Sequence, residues 1–153
     1  MRLLFLCDGN TCRSPMAEAI CRAMLAHDGG FAEVEVGSAG LAAFPGDGAT
    51  QEAVRVCDAH GLDLSAHRAR ALTVDMLAAS DHIYTMTLAQ AVQLSQLVPR
   101  YAVRIAPLSP AGDIADPFGG GVEKCVQTYD QLAAAIGARL AEWKNEQTKE
   151  NDQ

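Results

Sequence analysis

Short apolar runs alternate along this chain with longer segments of helical period, and that alternation constrains the fold more than any other feature. Arg2–Leu6 is a continuous apolar run and reads as a buried strand. Glu33–Gly37 alternates, with Val34 and Val36 inward, and reads as a second strand; His82–Met86 and Val103–Leu108 give a third and fourth. Between them, Ser14-Pro15 opens a helix, with Ser14 as N-cap and Pro15 at the first helical position, that ends near Gly29-Gly30. Its buried face is expected to carry Met16, Ala19, Ile20, Ala23 and Met24. Further helices are expected over Ala49–His60, Thr73–Ala79 and Thr87–Leu97, and over Val122–Trp143 with Tyr129, Leu132, Ala133, Ile136 and Leu140 at core spacing. The expected fold is therefore α/β: a single domain with a four-stranded parallel sheet, helices on both faces and right-handed crossovers. The 153 residues suit one domain, assigned to 1–144, followed by a polar tail over 145–153 that is expected to fray. Ligands in such folds bind beyond the carboxyl ends of the strands, and the first strand ends at Cys7.

Charge and cysteine usage narrow the function classes. Lys and Arg total 12 against 19 Asp and Glu, a net charge of −7. An acidic chain is a poor general binder of nucleic acid, whose phosphates need basic patches, although one local anion pocket remains compatible with it. No run is long and apolar enough to predict a membrane span. The apolar residues Leu3–Leu6 are too few for a secretory signal, which needs about 7–15, so a cytoplasmic protein is expected. The five cysteines, at 7, 12, 21, 57 and 125, are odd in number and include no Cys-x-x-Cys pair. Neither a disulfide framework nor a structural zinc site is expected; Cys21, Cys57 and Cys125 read as buried thiols.

The chemistry is concentrated in Cys7-Asp8-Gly9-Asn10-Thr11-Cys12-Arg13-Ser14, between the first strand and the first helix. A bare Cys-x5-Arg is a weak signal, but its setting is specific. Gly9 and Asn10 permit unusual backbone dihedrals, and the loop runs into a helix N-terminus. A loop curling back on itself turns successive N–H groups inward as an anion nest, and the helix dipole adds partial positive charge. Arg13 brings a planar fork that matches two phosphate oxygens. The field that binds a dianion also stabilises a thiolate, so Cys7 at the base of the cradle reads as a nucleophile for phosphoryl transfer. Ser14 is placed either to donate to that sulfur or to cap the helix. No nucleotide-type G-x-x-x-x-G-K-[ST] loop occurs.

A leaving group also needs a proton. Asp116-Pro117-Phe118 lies in the long loop after the fourth strand, at the same sheet edge, with Phe118 placed to wall the pocket. Asp113, three residues earlier, is the competing candidate acid, and Phe44 is a second candidate wall.

The stretch from Phe5 to Glu18 closely resembles the low-molecular-weight protein-tyrosine-phosphatase family, as do Ser38-Ala39-Gly40, Ser65–Arg70 and Asp116-Pro117-Phe118-Gly119, in the family's order. The resemblance implies Cys7 as nucleophile, Arg13 and the backbone amides of residues 8–13 as phosphate ligands, and Asp116 as general acid and then base. It implies that Asn10, Ser14, Ser38 and His67 shape the loop by hydrogen bonding. Cys12 then has two readings, a reversible disulfide partner for Cys7 or a buried thiol. No metal or organic cofactor is implied, and the partner is a phosphorylated protein.

Two features resemble the protein arginine phosphatase branch: Thr11, where tyrosine-specific members usually have an aliphatic residue, and Phe118 followed by Gly119-Gly120-Gly121 rather than a second aromatic. Met86-Thr87 also resembles that branch. A hydroxyl at Thr11 suits a guanidinium better than a phenyl ring. Phosphoarginine is the expected substrate and phosphotyrosine the alternative. Arsenate reduction coupled to thioredoxin is disfavoured, because residues 58–124 contain no cysteine. An inactive phosphate-binding module is disfavoured by the intact Cys7, Arg13 and Asp116.

Overall fold

The computed structural model describes residues 1–31 and 33–152. Four parallel strands form one sheet: β1 (Arg2–Cys7), β2 (Glu35–Gly40), β3 (His82–Thr85) and β4 (Ile105–Pro107), in the order β2-β1-β3-β4. The helices are α1 (Arg13–Asp28), α2 (Gln51–Asp58), α3 (Val74–Ala79), α4 (Leu88–Leu97) and α5 (Gly121–Asn151). Among the described residues, no helix is long and apolar enough to cross a membrane.

The sheet divides the core by residue parity. In β1, Leu3, Phe5 and Cys7 belong to one buried cluster, and Leu4 and Leu6 to another. Successive strand side chains point to opposite faces, so a strand apolar at every position from Leu3 onward must be covered on both. The first face packs on Met16 and Ile20 of α1, Val56 of α2, and Leu132 and Ile136 of α5; the second packs on Leu77 of α3 and Ala91 and Leu94 of α4. Each such fully buried aliphatic or aromatic side chain contributes roughly 1.5–3 kcal/mol. The chain leaves β1 for β2 on one side and returns to β3 on the other. The carboxyl end of β1 is therefore where the strand order reverses, the position at which such sheets bind ligands.

Several sequence expectations are corrected. The second strand runs over Glu35–Gly40, not Glu33–Gly37, because β1 needs a partner along its whole length: Ser38, Ala39 and Gly40 pair with Phe5, Leu6 and Cys7. Gly40 is required there, since a Cβ would lie 2.7 Å from the Asp8 carbonyl oxygen. Ser14 is not an N-cap. Helix α1 begins at Arg13, with Cys12 at the cap position and no side-chain cap, and the Ser14 hydroxyl turns to the loop instead. On α1, Ala23 is exposed and Cys21 and Leu25 are buried in its stead. The fourth strand is only three residues long, because Pro99–Arg104 close into a 3-10 helix that leaves Val103 94% exposed. The segment from Asn145, expected as a fraying tail, is helical and extends α5 to Asn151. Its Glu, Gln and Lys residues are good helix formers, and Glu146 meets His82 of β3 at 2.8 Å.

Candidate active site

The loop from Cys7 to Arg13 is held by bonds that all reach it from outside. The carbonyls of Cys7, Asp8, Asn10, Thr11 and Cys12 accept from Leu41 N, Ala42 N, His67 Nε2, Thr50 N and Met16 N, at 2.7–3.1 Å. With the carbonyls turned outward, the amides turn in. Among the described residues, no loop carbonyl or side chain accepts from the N–H groups of residues 8–12. Such a ring of converging amides is an anion nest, and α1 adds the positive end of its dipole.

Asn10 organises the turn. It is fully buried, with φ 55°, the left-handed region that Asn tolerates better than most residues. Its Nδ2 donates to Ser14 Oγ (2.8 Å) and Ser38 Oγ (3.0 Å), its Oδ1 accepts from Arg70 N (2.9 Å), and its carbonyl accepts from His67 Nε2 (2.7 Å). A carbonyl only accepts, so His67 carries its proton on Nε2. Because Ser14 Oγ already accepts from Asn10, its own hydrogen is free to donate to Cys7 Sγ, 2.9 Å away. Cys7 is buried at the end of β1 and lines a cavity of about 500 Å³ with Asp8, Gly9, Thr11, Cys12, Arg13 and Asp116.

Arg13 is the buried cation of this cavity. Its Nη1 donates to the Ile114 carbonyl (3.1 Å), and its Nη2 lies 3.7 Å from Oδ2 of both Asp8 and Asp116. Asp116 reaches in from the loop before α5, with Phe118 N donating to its Oδ1 (3.1 Å). The competing Asp113 is engaged elsewhere: its Oδ1 accepts from Leu88 N at the start of α4 (2.9 Å), and it does not line the cavity. Phe118, 93% exposed, stands at the lip, whereas Phe44, 77% exposed, is not among the lining residues. Cys12 lines the cavity beside Cys125 and Thr50, and burial pushes its thiol up to about 12.

Four supporting residues escaped the sequence reading. Gln90 accepts from Met86 N and Thr87 N through Oε1 and donates to Asp8 Oδ1 (3.0 Å), joining the cradle to the start of α4. Its signal was Thr87-x-x-Gln90, a capping box that the structure contains. Arg70 clamps β2 from its guanidinium to the Ser38 carbonyl. Thr128 and Gln131 of α5 hold Ala115, next to the acid, by its carbonyl (3.0 Å) and amide (3.1 Å). No local pattern marks those two, because the loop they hold is 13 or more residues away.

The model of the low molecular weight phosphotyrosine protein phosphatase family matches residues 2–152. A low molecular weight protein-tyrosine-phosphatase, PtpB, of Staphylococcus haemolyticus is 38% identical over 143 residues, 90% of this chain and 96% of that protein. A protein-arginine-phosphatase of Bacillus subtilis is 34% identical over 137 residues, 86% of this chain and 89% of that protein. A solved structure of the arginine phosphatase YwlE, a serine variant with a phosphorylated active-site serine, superposes with a TM-score of 0.83 at 33% identity, covering 89% of this chain and 91% of that chain. A match along nearly the whole chain, on a parallel sheet that ends in this cradle, makes the chain a member of the low-molecular-weight protein phosphatase family and an enzyme of that family.

Proposed function

We propose that this phosphatase hydrolyses protein phosphoarginine through a cysteinyl-phosphate. The phosphoryl group sits on the amides of residues 8–13 and the Arg13 fork. The Cys7 thiolate, supported by the Ser14 hydroxyl, attacks phosphorus in line. The S–P bond forms as the bond from phosphorus to the arginine nitrogen breaks, and Asp116 gives its proton to the departing guanidine. In the second step Asp116 takes a proton from water, whose oxygen attacks phosphorus; the S–P bond breaks, and phosphate leaves with Cys7 a thiolate again. Asn10, Ser14, Ser38 and His67 keep the cradle in shape. The serine-phosphorylated YwlE structure is consistent with covalent transfer to this loop position in that relative.

The observation that carries the substrate assignment is Thr11, a cavity-lining residue that brings a hydroxyl where an aliphatic side chain would favour a phenyl ring. The glycines after Phe118, two of them cavity-lining, leave that wall without a second aromatic. Phosphotyrosine is the second reading, favoured by the name of the Staphylococcus relative. The discriminating measurement is kcat/KM on one peptide carrying either phosphoarginine or phosphotyrosine, with Thr11→Ile alongside. A phosphoarginine preference that reverses in Thr11→Ile supports the assignment; a wild-type preference for phosphotyrosine overturns it. We further propose a reducing cytoplasm as the working compartment, in keeping with five free thiols. There Cys12, protonated at neutral pH, acts as the partner thiol if Cys7 is oxidised.

A further inference from the structure

A pocket built for a dianion gains nothing from a carboxylate at its mouth, yet this one has Asp8 as the first residue of the cradle, directly after Cys7. Its side chain is 65% exposed, but it does not swing freely: Gln90 Nε2 donates to Oδ1 at 3.0 Å, and Gln90 is itself fixed by two backbone amides. The other oxygen, Oδ2, lies 3.7 Å from Arg13 Nη2, and Asp116 Oδ2 lies at the same distance from the same nitrogen. The two carboxylates therefore stand on the mouth of one cavity, no farther apart than twice that distance. When Arg13 turns its charge to a bound phosphoryl group, both lose part of their counter-charge. For an aryl phosphate this leaves like charges facing the dianion. For a substrate with a cationic, planar group next to phosphorus, Asp8 Oδ2 becomes an acceptor on one side of it, at a charge-assisted hydrogen-bond length of about 2.8 Å, with Asp116 and the proton it delivers on the other.

We propose that Asp8 is a specificity-determining residue that accepts a hydrogen bond from the substrate's guanidinium, with Asp116 across the cavity and Gln90 as the positioning residue that aims it. This deepens the phosphoarginine reading and rests on it. Asp8 takes no part in the bond-making steps; its carboxylate favours a cationic group at the mouth and disfavours an uncharged ring there.

The test compares wild type, Asp8→Asn and Asp8→Ser on the same peptide carrying phosphoarginine or phosphotyrosine, at fixed ionic strength. The readout is the ratio of the two kcat/KM values within each protein. The expected result is a fall in the phosphoarginine-to-phosphotyrosine ratio of about fivefold in both variants, the scale of one half-exposed charged contact. A lowered KM for para-nitrophenyl phosphate is expected with it, because a like charge has left the mouth. A ratio that stays within about twofold of wild type in both variants overturns the inference, whatever the wild-type preference. The wild-type ratio itself tests the phosphoarginine reading, so the two failures are told apart. Gln90→Met is expected to lower the ratio in the same direction as Asp8→Asn; an equal loss on both peptides would reduce Gln90 to a structural support.

Discussion

Asn10→Ala is the perturbation that the architecture of the cradle makes most costly. The side chain has no solvent exposure and makes three hydrogen bonds, to Ser14 Oγ, Ser38 Oγ and Arg70 N. At about 1 kcal/mol each, their loss removes about 3 kcal/mol. Alanine must also hold φ 55°, which costs an L-residue with a Cβ about 1 kcal/mol more. The sum is about 4 kcal/mol, a large part of the 5–15 kcal/mol typical of a domain. Asn10→Gly separates the two contributions: it loses the same bonds but not the backbone penalty, and should be about 1 kcal/mol less damaged. Urea denaturation followed by far-UV circular dichroism measures both variants, and kcat/KM on para-nitrophenyl phosphate reports the cradle itself. Activity should fall further than the unfolded fraction accounts for, because Ser14 and the His67-bound carbonyl lose their common anchor. If Asn10→Ala stays within 1 kcal/mol of wild type and keeps its kcat/KM, the claim that Asn10 organises the loop is wrong.

Other perturbations separate the remaining parts of the account. Asp116→Asn should lower kcat/KM by about 10²–10⁴-fold on unactivated phosphates and far less on activated aryl phosphates; a uniform loss of kcat/KM across a leaving-group series would remove Asp116 as the acid. Burial pushes the thiols of Cys21 and Cys57 up to about 12 from 9.0. Above pH 9 the unfolded chain releases these protons and the folded chain retains them. Stability is thus full below pH 9 and declines above it toward pH 12, by up to about 1.4 kcal/mol per pH unit for each thiol. Thermal melts from pH 8 to 11 should show this decline, and Cys21→Ala with Cys57→Ala should make it shallower, with Cys12, also pushed up to about 12, keeping its own share. Deleting residues 145–153 removes the His82–Glu146 contact and the last turns of α5. Stability should drop by about 1 kcal/mol or less with kcat/KM unchanged, as measured by denaturant midpoint and para-nitrophenyl phosphate turnover.

What was legible in the sequence followed from short-range physics. The unbroken apolar run of β1 required helices on both sheet faces, and Thr73 and Thr87 marked the starts of α3 and α4 by their own capping chemistry. The cradle was legible because its proposed nucleophile, its cation and its turn residues are contiguous from Cys7 to Ser14. Contacts between distant segments were not. Ser14 satisfied every local rule for an N-cap, and only its place beneath Cys7 and Asn10 shows why its hydroxyl turns away from the helix. The choice between Asp113 and Asp116 could not be made on spacing; α4, whose first amide occupies Asp113, supports the proposal of Asp116 as the acid. The polar composition after Trp143 masked a continuing helix, because the contacts that anchor it come from distant elements, His82 of β3 to Glu146 and Asp28 of α1 to Lys144. Gln90 likewise has its local capping bonds written in the sequence, while its bond to Asp8, 82 residues away, exists only in the fold.

The central claim is that phosphate passes through Cys7. Asp116→Asn should slow the breakdown of the covalent intermediate, so it is the protein to trap. The measurement is rapid quench of Asp116→Asn during turnover of an activated aryl phosphate, followed by peptide mapping under conditions that preserve phosphothioesters. The account predicts one phosphoryl group per chain on the peptide containing Cys7, formed at the rate of the initial burst. Phosphate on another residue, or full turnover with no protein-bound phosphate at any time, would contradict it.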